Sequence, residues 1–174
     1  MPSPCIVSFS DLIFNYWFVA DIAVASQTPK TTLLGSIKQD GADILHWMSF
    51  ANSEILPPLA GWFAPLIGRA PYIKSQVAKS RTQTLKAVQV LEDHLHKRTF
   101  LVGERVTLAD LFVASIIGRG FQYVLDRKWR EGHPNVTRWY ETVHNVPYYA
   151  AVAGEMMLIE ELAKALNVWD STKR

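Results

Sequence analysis

A hydroxyl and a carboxylate stand three residues apart at Thr107 and Asp110, in a short stretch that otherwise has few candidates for chemistry. Such a pair is able to serve acid–base catalysis. The same Ser/Thr-x-x-acid spacing is also that of a helix capping box, although Glu or Gln is the usual third-position residue. Val106 and Leu111 occupy the two positions of a hydrophobic staple around it. We therefore interpret Thr107, Asp110, Val106 and Leu111 as a structural N-cap and staple, and we predict no catalytic residue there.

The remaining polar residues do not form a recognisable metal, phosphate or nucleic-acid site. His94 and His96 are two residues apart, so a helix would direct them to different sides, and no metal-ligand spacing occurs. Gly118-Arg119-Gly120 falls inside an apolar segment with no preceding strand, which argues against a phosphate loop. The basic residues over 119–138 are interrupted by acidic ones and lack alternating aromatic residues. We interpret them as a solvated face, and we expect no metal and no direct nucleic-acid partner.

Composition indicates one globular domain. The chain has 174 residues, of which 49% are hydrophobic and 20% charged, enough for a real core. Its 18 Lys and Arg residues against 16 Asp and Glu residues give a net charge of +2, too balanced to indicate a polyanionic partner. The single cysteine, Cys5, excludes a disulfide within the chain and favours a reducing compartment.

The apolar opening over 5–25 is best explained as a buried or interface helix. It carries Asp11 and Asp21, which argue against a membrane span, and no Lys or Arg precedes it as in a secretory signal. We treat 1–30 as an atypical N-terminal segment, a remnant or a covering helix, and 31–174 as the helical domain. We expect no membrane association.

Apolar residues recur at helical spacing through most of the chain. The pattern predicts helices over 39–56, 72–98, 108–124 and 136–145. Pro57-Pro58 should kink or break the first, with a short continuation to 67 ended by Gly68. Pro147 should open a short helix that Gly154 interrupts, and 155–166 should close the domain. No strand pattern is convincing, so we predict an all-α bundle of five to seven helices.

Four stretches resemble one family, the glutathione transferases, in their C-terminal domain. They are TFLVGERVTLAD at 99–110, WMSFANSEILPP at 47–58, PNVTRW at 134–139 and PYYAAVAGE at 147–155. The first is similar, more narrowly, to the transferase-like domain of the eukaryotic elongation factor 1B gamma subunit, and the other three support that narrower resemblance. The resemblance covers about 31–166 and implies a glutathione transferase C-terminal-like helical bundle. Because 1–30 cannot hold a thioredoxin-like βαβαββα unit, that half is expected to be largely or wholly missing.

The resemblance implies a non-catalytic scaffold in translation elongation. In that subfamily the domain anchors the nucleotide-exchange subunit of elongation factor 1B, which would be the partner of this chain in the cytoplasm; a homodimer is also open. The alternative is a theta-like glutathione transferase that conjugates glutathione to electrophiles. No cofactor is expected, and glutathione would be a weakly bound substrate. The thiol-activating hydroxyl would have to come from 1–30, where Ser8 and Ser10 lie, or from another chain.

The resembled fold also suggests two cleft-lining residues. The helix over 47–58 borders the electrophile cleft there, and Phe50 and Ser53, one turn apart, would share its cleft-facing side. Trp47 and Trp62 lie nearby in the sequence and suggest a ligand-stacking set with Phe50. Packing in the core or at a dimer interface is the interpretation we favour for these aromatic side chains.

Overall fold

The computed structural model describes residues 33–162, and these form an all-α bundle. Within this range seven α-helices follow one another, with a π-helical turn at Ala51–Ile55 after the first. No strand occurs within residues 33–162, which confirms the predicted fold class. The helix bounds are α1 Lys38–Phe50, α2 Leu56–Leu66, α3 Lys74–Leu95, α4 Leu108–Tyr123, α5 Arg127–Glu131, α6 Pro134–His144 and α7 Pro147–Ala153.

The helix α1 runs through the π-helical turn into α2 without a loop. The break expected at Pro57-Pro58 is therefore a π-helical turn and not a loop. The two prolines lie in the first turn of α2, where a missing N–H donor costs least. The turn before them widens instead, and the Leu56 N–H donates to the carbonyl of Ala51. Both Ala51 and Ile55 are fully buried. Single π-helical turns often accompany functional sites, and this one lies beside a groove.

The helix α4 is the centre of the bundle. Its residues from Ala109 to Ala114 are all buried, as are Ile116 and Ile117, so it has no solvated face in its first half. It packs against α1, α2 and α6. The helix α3 is amphipathic, with Val88, Leu91 and Leu95 fully buried. It begins two residues later and ends three residues earlier than the sequence pattern predicted.

The chain after α4 differs most from the sequence expectation. The five-residue helix α5 was not predicted; Asp126 caps it by accepting the Trp129 N–H at 2.9 Å. After α7 the chain turns at Gly154, where φ is +76°. Residues 155–161 are not helical, and the Ile159 N–H donates to the carbonyl of Phe121 at 2.9 Å. This segment therefore closes the bundle by lying along the end of α4.

Several expectations concern residues outside the described part. The atypical segment 1–30, with Cys5, Ser8 and Ser10, lies there, as do 163–174. The division of the chain at residue 30 thus remains a prediction. None of the helices within residues 33–162 has the length and apolarity that a bilayer crossing demands.

Candidate functional site

The Asp110 carboxylate holds together three separate parts of the bundle. Its Oδ1 accepts the backbone N–H of Leu101 at 2.9 Å and the indole N–H of Trp139 at 2.8 Å. Its Oδ2 accepts the backbone N–H and the hydroxyl of Thr107, both at 2.9 Å. Reciprocal capping-box contacts join Thr107 and Asp110 at the start of α4. The carboxylate therefore joins the 101–107 loop, α4 and α6.

The Asp110 carboxylate lies inside the core. Asp110 and Trp139 are fully buried, and Asp110 does not line either the α3 groove or the Arg119 crevice, the two surface sites described below. Burial raises the pKa of Asp110, because a charged carboxylate is costly in the core. The four hydrogen bonds to the carboxylate lower the pKa and offset part of that rise. The sequence did not reveal that the Thr107 hydroxyl donates to the carboxylate, nor that Trp139 supplies a fourth donor. Val106 is half-buried against the core and Leu111 fully buried, positions that suit a staple.

A second buried carboxylate, Glu92 on α3, binds the start of α6. It accepts the N–H of Asn135 at 3.1 Å, the Asn135 side-chain amide at 2.6 Å and the N–H of Val136 at 2.9 Å. A helix beginning with Pro134 leaves its first donors without partners, so a carboxylate from outside the helix satisfies them. Glu92 was not identified from the sequence. The available signal was that the first N–H donors of α6 lack partners within the helix. The sequence does not indicate which element supplies their acceptor.

A surface groove runs between the π-helical turn and α3, with a volume of about 560 Å³. We call it the α3 groove. Phe50 and Ser53, the two residues expected to line a cleft, both lie on it. The Ser53 hydroxyl donates to the carbonyl of Ser49 at 3.1 Å. The lining comprises Phe50, Ser53, Glu54, Pro57, Pro58, Ser80, Gln83, Lys86, Ala87 and Val90.

The chemistry of the α3 groove suits binding. The wall formed by residues 50–58 is largely apolar and carries one carboxylate, that of Glu54. The opposite wall, formed by α3, is mostly polar and carries one cation, Lys86. Both charged side chains are exposed. Within the described residues the groove brings together no nucleophile with an adjacent general base, and no group of His, Cys, Asp and Glu there has the arrangement of a metal site.

The tryptophans near the groove pack within the protein. Trp47 is buried and lies 5.7 Å from the ring of Phe50 and 4.4 Å from that of His94. Trp62 is buried, and the guanidinium carbon of Arg81 lies 5.7 Å from its ring centroid. His94 also contacts the carbonyl of Leu101 at 2.9 Å through Nε2. These contacts favour the packing interpretation of the aromatic set.

The sequence is similar to a known protein family and to several of its members. Residues 51–147, more than half of the chain, match the family model described as "Glutathione S-transferase, C-terminal domain". The glutathione S-transferase stcT of Emericella nidulans is 44% identical over 146 residues, which are 84% of this chain and 68% of that protein. Elongation factor 1-gamma of Carassius auratus is 40% identical over 142 residues, 82% of this chain and 32% of that protein.

A solved structure resembles the chain in fold as well as in sequence. The crystal structure of the GST-like domain of elongation factor 1-gamma from Saccharomyces cerevisiae has a TM-score of 0.75 and 33% identity, covering 86% of this chain and 68% of that chain. The chain spans about 60% of the glutathione S-transferases AN1595 and psoE, and about a third of the elongation factors. On the family model and these relatives, the chain belongs to the glutathione S-transferase family, in the part that forms its C-terminal helical domain.

Proposed function

We propose that this domain is a non-catalytic scaffold of the elongation factor 1-gamma type, which anchors the nucleotide-exchange subunit of elongation factor 1B during translation elongation. The observation that carries the proposal is the TM-score of 0.75 with the yeast GST-like domain, against 0.52 to 0.61 for the glutathione transferases of the same comparison. The proposed partner works in the cytoplasm, and we assign the chain to that compartment on the same ground.

The α3 groove supports a docking role physically. Protein interfaces combine an apolar centre with a polar rim, and Phe50, Pro57 and Val90 stand among charged and amide side chains here. Val90 is 46% exposed although its helix is otherwise amphipathic, so the groove offers apolar surface that a partner would cover. We propose that Phe50 and Ser53 contact that partner. Thr107, Asp110, Val106 and Leu111 hold the bundle rigid behind it.

Affinity capture tests the proposal. The full chain is tagged and captured from its own cytosol, and co-purifying proteins are identified by mass spectrometry. The exchange subunit should be enriched. Lys86→Glu replaces the one cation of the groove by a second carboxylate and should reduce the enrichment. Lys128→Glu, an exposed lysine of α5 outside the groove, should leave it unchanged. Capture of the exchange subunit to the same extent by both variants would place the docking surface elsewhere, and its absence from the wild-type sample would refute the scaffold.

Glutathione conjugation is the second candidate, favoured by a separate observation. Two relatives named glutathione S-transferases are 44% identical to this chain over 146 and 138 residues, slightly more than the 40% of the elongation factor from Carassius auratus. In this candidate the α3 groove, whose volume lies in the usual range for ligand sites, receives the electrophile. Phe50 and Ser53 would contact it, and glutathione is the second substrate. A hydroxyl donor from 1–30 or another chain would activate the thiol.

A conjugation assay separates the two candidates. Turnover of glutathione with a chromogenic electrophile, reduced by Phe50→Ala and abolished by Ser8→Ala or Ser10→Ala, would favour the enzyme. Turnover at the uncatalysed rate together with capture of the exchange subunit would favour the scaffold.

A further inference from the structure

We propose that a crevice between α4, α6 and α7, separate from the α3 groove, is a binding site for a small oxyanion such as a carboxylate or phosphate group. The crevice has a volume of about 140 Å³, well below the roughly 300–1,000 Å³ of sites for drug-sized ligands. Its polar lining includes Ser115, Arg119, Gln122, Tyr140, His144 and Tyr149. We call it the Arg119 crevice.

Arg119 supplies the positive charge of the crevice. One of its terminal nitrogens, Nη1, donates to Gln122 Oε1 at 2.9 Å, one turn further along α4. Gln122 in turn donates from Nε2 to Met157 Sδ at 3.4 Å. Within residues 33–162 no carboxylate forms an ion pair with Arg119. Because a guanidinium carries five N–H donors in a planar fork, most of them remain available to an anion that enters the crevice.

Two tyrosine hydroxyls complete a set of donors around that charge. The rings of Tyr140 and Tyr149 are buried, and Tyr140 stacks on Phe121 with 4.4 Å between centroids. Both side chains line the crevice, and no other described residue forms a hydrogen bond with either hydroxyl. The charge of Arg119 acts on both hydroxyl groups and favours their ionised form, but burial outweighs it. Burial raises the pKa of Tyr140 to about 12 and also raises that of Tyr149, so both hydroxyls stay protonated and able to donate.

A glycine on α4 makes room for this arrangement. A Cβ at position 118 would lie 2.8 Å from the Tyr140 hydroxyl oxygen, closer than van der Waals contact allows. Gly118 therefore lets the hydroxyl approach α4 one residue before Arg119. The other side of the crevice is formed by His144, which is buried and lies 5.7 Å from the rings of both Tyr140 and Tyr149.

The charges select an anion and not a cation. Arg119 is the one cationic side chain of the lining, and Glu155, its one carboxylate, is exposed at the rim on the segment after α7. Burial lowers the pKa of His144, which leaves it as a neutral side chain with one N–H donor near neutral pH. Hydroxyl, guanidinium, amide and imidazole donors around a small space fit a small oxyanion such as a carboxylate or phosphate group.

Titration of the full chain with inorganic phosphate, and separately with acetate, tests the site. The imidazole C–H signal of His144 is followed by NMR at pH about 7 and constant ionic strength balanced with sodium chloride; His144→Gln assigns the signal. We expect a saturable shift with phosphate or acetate and none with chloride. Arg119→Gln should weaken binding by about 10-fold or more. Arg127→Gln, which removes an exposed arginine of α5, should bind as the wild type does.

Tyr149→Phe keeps the ring and removes one donor, so it tests the site even if Arg119→Gln fails to fold. It should weaken binding while leaving the melting temperature of the free protein nearly unchanged. An unshifted His144 signal at saturating anion would overturn the proposal. Equal affinity in the wild type and in folded Arg119→Gln or Tyr149→Phe would do the same. Neither outcome bears on the scaffold proposal, because that proposal depends on the α3 groove.

Discussion

Replacing Asp110 by alanine should destabilise the fold far more than loss of an ordinary helix cap. The substitution removes the acceptor of four hydrogen bonds at once, from Leu101, Trp139 and Thr107, the last through both its N–H and its hydroxyl. Asp110, Trp139 and Leu101 are buried, with 0%, 0% and 2% of their surface exposed, so water cannot readily replace the carboxylate.

The expected loss follows from the donors left unpaired. The Thr107 hydroxyl can rotate toward another acceptor, which leaves three buried N–H groups. Each unpaired buried donor costs about 1–3 kcal/mol, so the low end of that range already gives about 3 kcal/mol. Removing the charge also relieves its own desolvation, which the raised pKa of Asp110 reflects and which argues against the high end. We expect the free energy of unfolding to fall by about 3–5 kcal/mol, as for other buried charges that lose their partners.

Urea unfolding of the full chain, followed by tryptophan fluorescence and circular dichroism, measures this loss. Asp126→Ala is the matched control, because Asp126 caps α5 through a single bond to the Trp129 N–H in a half-buried position. An ordinary cap of this kind is worth about 0.5–2 kcal/mol. Equal losses for the two variants would refute the reasoning, since Asp110 would then be a cap and nothing more.

Three further predictions concern other parts of the bundle. Glu92→Gln should lower the free energy of unfolding in urea by about 1–3 kcal/mol because the start of α6 loses a charged acceptor; an unchanged midpoint would contradict this. Burial lowers the pKa of His94 below 6.5 in the folded protein. As pH falls below 6.5, the unfolded chain therefore binds a proton at His94 more readily than the folded protein does, and stability is lost. His94→Gln should flatten the pH dependence of the melting temperature there, and an equally steep curve would disprove the assignment. Gly118→Ala should destabilise the protein by about 1–3 kcal/mol, because its Cβ would meet Tyr140 at 2.8 Å. Gly41→Ala in α1, where nothing lies within 4 Å, should stabilise it by up to about 1 kcal/mol; the same sign for both would contradict the packing argument.

Local patterns predicted the helices well, because each signal acts within a few residues. The hydrophobic spacing predicted α3, α4 and α6 to within a few residues at each end, and it predicted α1 together with the π-helical turn that follows it as one helix. Pro134 and Pro147 begin their helices, and Gly154 ends α7. The helix α5 escaped prediction because five residues without a buried side chain leave no periodic pattern.

The candidate sites were less predictable because they depend on contacts between distant parts of the chain. Phe50 and Ser53 were named because both are on one turn of a helix, but the opposite wall of their groove comes from α3, some thirty residues later. Trp139 reaches Asp110 across 29 positions, and Glu92 reaches Val136 across 44. The Arg119 crevice joins three helices and was not foreseen, since Arg119 reads as one basic residue among several in the sequence.

We propose that this domain holds the exchange subunit of elongation factor 1B, and direct binding of the two proteins is the most decisive test. The purified full chain is titrated with the purified exchange subunit in a calorimeter. We expect a saturable 1:1 complex that Lys86→Glu weakens and Lys128→Glu does not. No binding by the wild-type chain would refute the scaffold and leave glutathione conjugation as the function to pursue.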